Sequence, residues 1–164
     1  FERELKSEIE RSAHAKVAVL FIDVDDFKFI NDRFGHSVGD EVIKYVAGCI
    51  KQRVKGSGFA GRFGGDEFVL CITDPKQIEE IESLSLDLID ELYEGYHSEL
   101  ANVSINVKAS IGIAFFPEHG DDSNKIVAAA DEAMYFVKKN GKTNYHIYIP
   151  EDSATGEYID PEGF

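Results

Sequence analysis

Six consecutive apolar residues, Val17-Ala18-Val19-Leu20-Phe21-Ile22, stop abruptly at Asp23-Val24-Asp25-Asp26. An unbroken run of this length, rich in β-branched side chains, does not suit a strand with one wet face. It reads as a strand buried on both faces. In open α/β sheets ligand sites gather outside the C-terminal ends of such strands, and Asp23 stands at that end.

A second acidic pair lies downstream in Arg62-Phe63-Gly64-Gly65-Asp66-Glu67-Phe68. Two glycines between apolar stretches (Phe59 to Phe63, Phe68 to Ile72) suit a two-residue hairpin turn needing positive φ. Taken alone, Asp66 and Glu67 read as a polar turn that water solvates. Placed beside the first strand they read differently: Asp23 and Asp66 converge, and close carboxylates repel unless a cation sits between them. Oxygen donors with no cysteine or histidine cluster favour Mg²⁺, with Mn²⁺ as the alternative, and Mg²⁺ commonly shares its shell with substrate phosphates.

The rest of the chain sorts by periodicity. Phe1 to Ala13 is helix-like, and Asp26 to Phe34 makes a short helix after the buried strand. A Gly35 to Gly39 loop leads to an amphipathic helix with Val42, Tyr45, Val46, Cys49 and Ile50 on one face. The hairpin spans Phe59 to Ile72. Asp74 to Glu99 holds nine acids against one base, Lys76. Ile78, Ile81, Leu84, Leu88 and Leu92 recur through it at helical spacing, so its acids form a solvated face without a catalytic role. Ile105 to Ile113 alternates as a long strand. Ser123 caps a helix carrying Ile126, Val127, Ala130, Met134 and Val137, with Asn140-Gly141 as its stop. Tyr145 to Ile149 is a last strand, and 150–164 is a polar, acidic tail expected to be disordered. The order β-α-β-β-α-β, then a helix and a strand, implies an α/β (α+β) sandwich with a mostly antiparallel sheet, ferredoxin-like in arrangement.

Composition narrows the functions. At 164 residues and 43% hydrophobic content the chain makes one domain with a real core. A formal net charge of −14 argues against nucleic acid as a partner, because counterion release needs a basic surface. No apolar run is long enough to span a bilayer and no signal-peptide pattern is present, so a soluble, cytoplasmic domain without membrane contact is expected. The first residue is not Met, which suggests a piece of a longer protein. Cys49 and Cys71 have no metal spacing and read as buried small hydrophobes.

Two nucleotide motifs fail on context. Gly56-Ser57-Gly58-Phe59-Ala60-Gly61 spells G-x-G-x-x-G. A helix precedes it and a strand follows, the reverse of a dinucleotide site, where a helix N-terminus must receive the pyrophosphate. Gly141-Lys142-Thr143 imitates the end of a P-loop, but Phe136 stands where its first glycine belongs.

With these residues in place the chain resembles a GGDEF domain, the diguanylate cyclase family that condenses two GTP into cyclic di-GMP. The resemblance covers about Phe1 to Ile149 in six ordered blocks: Phe21 to Lys28, Asn31 to His36, Gly39-Asp40, Gly64 to Phe68, Ser110 to Ala114, and Ala130 to Tyr135 running on to Lys138 and Gly141. It implies a five-stranded sheet wrapped by helices, akin to a polymerase palm. It also implies a domain at 1–149 that works as a homodimer, since each copy presents one GTP, under an upstream sensory or receiver domain.

The resemblance further implies roles. Asp23, the Val24 carbonyl and Asp66 hold metal. Glu67 is a further ligand or helps deprotonate the attacking hydroxyl. Lys28, with backbone N–H groups of Asp26 and Phe27, meets the terminal phosphates, as do Lys138 and Lys142. Asn31 and Asp40 read the guanine edge. Residue chemistry leaves plainer readings open: Asp40 as partner of Ser37 in a capping box, Asn31 as a helix-end residue, the two late lysines as complements of a helix dipole. Asp25 and Asp32 are expected to be structural. The chain departs from the family at its N-terminal Asp-x-Leu-Thr-x-Leu-x-Asn-Arg block, at Lys142 for a common Arg, and at Thr143 for a common Asn. Lys55 and Gly58 replace the Arg and Asp of the product-inhibition motif. A catalytically silent GTP-binding or regulatory domain is the alternative.

Overall fold

The computed structural model describes residues 2–11, 16–54, 56 and 58–150. Lys55 and the expected tail beyond Pro150 lie outside the described residues. The elements are α1 (Glu2–Arg11), β1 (Val17–Val24), α2 (Phe27–Phe34), α3 (His36–Arg53), β2 (Gly58–Arg62), β3 (Glu67–Thr73), α4 (Ile78–Glu94), β4 (Tyr96–Ser98), β5 (Val103–Ile105), β6 (Ala109–Phe116), α5 (Ser123–Lys139) and β7 (Tyr145–Ile147).

Five strands form one sheet in the order β2-β3-β1-β6-β7, antiparallel except for the β6–β7 pair. The first four reproduce the ferredoxin-like order, and β7 extends the sheet beyond β6. The buried run becomes the central strand for a simple reason. Ala18, Leu20, Ile22 and Val24 point into the core shared with α3 and α4, while Val17, Val19 and Phe21 point into the core shared with α1 and α5. Both faces of β1 are thus covered, and alternation assigns Asp23 to the α5 face.

Several local expectations change. Gly35 alone separates α2 from α3, so the expected 35–39 loop is already helix from His36. Asp122, not Ser123, caps α5: its Oδ1 accepts from the backbone N–H of Asn124 at 2.8 Å and of Lys125 at 2.9 Å. The long strand from Ile105 is broken, because Val107 N–H leaves the ladder to donate to Leu92 C=O (3.1 Å), and Lys108 C=O accepts from Asp25 N–H (2.8 Å). Ile105 instead belongs to the β4–β5 hairpin, which spacing alone did not reveal. The last strand ends at Ile147. In α4, Ile81, Leu88 and Leu92 are buried as expected, whereas Ile78 is exposed. Cys49 and Cys71 are both free and buried. Burial pushes the Cys71 thiol up to about 12. Among the described residues no helix is long and apolar enough to cross a membrane.

Candidate active site

The two acidic clusters meet through the β1–β3 register. Asp23 is the cross-strand partner of Glu67, and the Val24 N–H donates to the Asp66 C=O at 3.1 Å. Residues 67, 69 and 71 share a face by the pleat, so Glu67 continues the Val69–Cys71 surface toward α5, beside Asp23. The turn between β2 and β3 is built differently from the expected hairpin. Four residues, Phe63 to Asp66, link the strands, and neither Gly64 nor Gly65 adopts positive φ. Arg62 stiffens the loop by donating from Nε to the Gly64 and Gly65 carbonyls, each at 3.0 Å. Gly64 lies against the Glu67 carboxylate: a Cβ there would stand 2.5 Å from Glu67 Oε2, so a larger residue at 64 would shift the end of that side chain.

The acidic end of β1 is held from α5 and the turn after it. Lys138 Nζ donates to Asp23 Oδ1 and lies 3.2 Å from Asp25 Oδ1. The Asp25 side chain is fully buried and also accepts from Ser110 Oγ (2.8 and 3.1 Å) and from Thr143 N–H (3.0 Å). Lys142 pairs with Asp26 Oδ1 at 2.7 Å. Asp26 precedes α2 in a left-handed conformation (φ 55°), and Lys142 and Thr143 share that region. Three of the five described non-glycine residues with positive φ therefore lie in the two loops that meet here, a concentration of backbone strain typical of functional sites.

Electrostatics follow from this crowding. Burial raises the Asp23 carboxyl above its ordinary value; Asp66 and Asp25 add to the rise and Lys138 opposes it. Burial also raises Glu67, reinforced by Asp23, Asp66 and Asp131. Lys138 would be lowered by burial, but Asp23 and Asp25 outweigh that and hold the ammonium up. The Lys142 hydrogen bond holds Asp26 below the usual carboxylate range.

The candidate base-reading residues lie on α2 and α3. Asn31 is half-buried, and its Oδ1 sits 1.8 Å from where a Cβ on Gly39 would stand, so only glycine at 39 lets the amide lie against α3. Asp40 is exposed on the following residue. The capping-box reading of Asp40 fails, because α3 starts at His36 with Gly35 at its N-cap, which leaves Ser37 inside the helix. Phe27 opens α2, and Lys28 beside it is exposed.

The structure thus brings Asp23, Asp66, Glu67, Lys138, Asp26 and Lys142 to one end of the sheet, with Asn31 and Asp40 on the adjoining helix pair. Among the described residues no three His, Cys, Asp or Glu side chains are gathered closely enough to hold a metal ion. The donor chemistry nonetheless suits a hard cation, since all the candidates are oxygens and the carboxyls, raised chiefly by burial, are raised further by their acidic neighbours. Three contributors escaped the residue-by-residue reading. Ser110 and Thr143 anchor Asp25; a serine on an apolar strand was the available signal. Asp131 is an exposed carboxylate on α5 that adds to the rise of Glu67.

Residues 1–144 match the family model of the diguanylate cyclase GGDEF domain. The chain belongs to the GGDEF family. Its fold superposes on the crystal structure of the GGDEF domain of PA1120 (YfiN or TpbB) from Pseudomonas aeruginosa with a TM-score of 0.87 at 30% identity, covering 92% of this chain and 94% of that one. Diguanylate cyclase DosC of Escherichia coli (strain K12) is 34% identical over 154 residues, 90% of this chain and 31% of DosC. Cyclic di-GMP phosphodiesterase PdeR of the same strain is 32% identical over 152 residues, 92% of this chain and 22% of PdeR. The GGDEF chain accordingly spans less than a third of the length of these curated relatives.

Proposed function

We propose that this GGDEF domain, residues 1–149, is a cytoplasmic diguanylate cyclase that joins two GTP into cyclic di-GMP and releases two pyrophosphates. The observation that carries the reading is the cross-strand pairing of Asp23 with Glu67, with Asp66 alongside, at the end of the central strand. In each of two steps the 3′-oxygen of one nucleotide forms a bond to the α-phosphorus of the other. The bond from that phosphorus to the bridging oxygen of pyrophosphate breaks.

Asp23, Asp66 and Glu67, with the Val24 carbonyl, would hold Mg²⁺ or Mn²⁺. The ion, when bound, supplies charge neutralisation at the α-phosphate and the leaving group. Asn31 and Asp40 orient the guanine: a carboxylate can accept from its N1–H and exocyclic amine together. Lys28, Lys138 and Lys142, with the N–H groups at Asp26 and Phe27, bind the phosphates. Glu67, raised by burial and its acidic neighbours, is the candidate acceptor for the 3′-hydroxyl proton, since a raised carboxylate is the better base. One domain presents one GTP, so the active species is a two-fold dimer of facing sites, brought together by an upstream sensory or receiver domain of the longer protein.

The test is incubation of the concentrated domain with GTP and Mg²⁺, followed by chromatography of the nucleotides. Cyclic di-GMP with two equivalents of pyrophosphate supports the proposal. GTP that binds but stays intact assigns the chain to the silent, regulatory alternative.

A further inference from the structure

We propose that Lys138 is the resident counter-ion of Asp23, an ammonium that occupies the cation-facing side of this carboxylate in the nucleotide-free domain and yields it when a triphosphate offers a replacement partner. This inference rests on the metal assignment proposed above and adds an order of events to it.

The two acids that Lys138 touches are unequal. Asp25 is fully enclosed, and Ser110 Oγ and Thr143 N–H satisfy both of its oxygens without the lysine. Asp23 is different: among the described residues Lys138 is the only side chain hydrogen-bonded to it. Withdrawal of the ammonium therefore takes the counter-charge from Asp25 but leaves both its oxygens hydrogen-bonded, and makes Asp23 available. The neighbouring pair repeats the arrangement, with Lys142 on Asp26. Both late lysines proposed to bind phosphate are thus held by carboxylates of the β1–α2 segment.

A divalent cation arriving alone must compete with a charge already seated on Asp23, and the displaced ammonium stays close enough to repel it. A triphosphate arriving with the cation removes that obstacle, because Lys138 exchanges a carboxylate for phosphate oxygens. Metal and nucleotide should accordingly bind with positive, reciprocal coupling, and Lys138 is the residue that carries it.

The test uses the nucleotide-free chain and aqueous Mn²⁺, with free Mn²⁺ followed by electron paramagnetic resonance. Lys138→Met, checked for folding by circular dichroism, should bind Mn²⁺ about tenfold more tightly than the unmutated chain, because the competing charge is gone. Lys138→Arg should stay as weak as the original, and Lys138→Gln provides a second neutral variant that can still hydrogen-bond Asp23. Adding Asp23→Asn to Lys138→Met should remove the gain. A non-hydrolysable GTP analogue should tighten Mn²⁺ binding in the unmutated chain more than in Lys138→Met. Mn²⁺ affinity in the neutral variants equal to or below that of the unmutated chain overturns the proposal while leaving the metal assignment intact. No Mn²⁺ uptake by any of these proteins, with the analogue present, overturns the metal assignment and this inference together.

Discussion

Asp23 and Glu67 stand opposite one another in the β1–β3 register, so two carboxyls share one face at the end of the central strand. Burial raises both; Asp23 adds to the rise of Glu67, and Asp66 adds to the rise of each. Fold stability alone gives no reason for such a pairing, since like charges directly opposite in a ladder destabilise it.

Replacing Asp23 or Asp66 by Ala should relieve that repulsion and at the same time abolish turnover. The expected loss in kcat is about a hundredfold or more, the scale seen when one preorganised electrostatic contact to a transition state is removed. GTP binding through Asn31 and Asp40 should persist. Paired measurement of kcat and nucleotide affinity checks this, and near-normal synthesis at saturating Mg²⁺ would falsify the metal assignment.

Base choice should depend on Asp40, which is exposed and not engaged in capping α3. The unmutated chain, offered GTP and ATP together, is expected to make cyclic di-GMP as its dominant product. Asp40→Ser should lose about a hundredfold or more in preference for GTP, because an unpaired polar edge is what rejects the wrong base. Mass spectrometry of the products decides it, and abundant mixed GMP–AMP product from the unmutated chain runs against the assignment.

Much of this was legible because chemistry and periodicity coincide in β1: six apolar residues followed by acids specify a doubly covered strand with a polar end. The sheet class followed from the order of elements. What periodicity could not convey was tertiary accommodation. The break after Ile105 arises because Val107 is drawn to Leu92 and Lys108 to Asp25, contacts distant in sequence. The turn at Gly64 looked like a φ requirement, yet neither Gly64 nor Gly65 adopts positive φ, because four residues rather than two link the strands. Ser110, read as one letter of an apolar strand, acts through Asp25, 85 residues away.

Asp25 should matter for stability before catalysis. Its side chain is fully buried, and its removal strips partners from Ser110, Thr143 and Lys138 at once. Asp25→Ala should cost on the order of 2–4 kcal/mol, the range for breaking a buried charged hydrogen-bond network. Urea denaturation measures it. A loss within the few tenths typical of surface sites would show that the α5–β7 turn is held by something else.

Product feedback should be weak. In many members of the family an Arg-x-x-Asp motif grips cyclic di-GMP, the guanidinium forking onto phosphate and guanine. Lys55 and Gly58 stand at these positions, and Gly58 is the first residue of β2. Lysine keeps the charge without the planar fork, and glycine removes the carboxylate. Calorimetric titration with cyclic di-GMP should show little binding through this site; tight binding that vanishes in Lys55→Ala would show that lysine suffices.

Stability should also fall on mild acidification, through His119. Its Nδ1 accepts the Phe115 N–H at 3.0 Å, and its ring meets Phe115 and Tyr148 edge-on, so the fold requires the neutral imidazole. Burial lowers His119 below its ordinary 6.5, with Glu118 pulling the other way, and burial lowers His146 too. The folded state therefore binds these protons less readily than the unfolded chain. Their contribution is intact above 6.5 and is lost as pH falls from there through the lowered folded values. Asp23, Glu67 and Asp131 act oppositely, because raised carboxyls favour the folded state as they take up protons, as pH falls through their raised folded values. Denaturation midpoints between about pH 7.5 and pH 5.5, compared between the unmutated chain and His119→Gln, separate the part due to His119 from that of the carboxyls. His119→Gln retains a hydrogen-bond acceptor that does not titrate, so it should flatten part of that decline; an unchanged slope would remove His119 from the explanation.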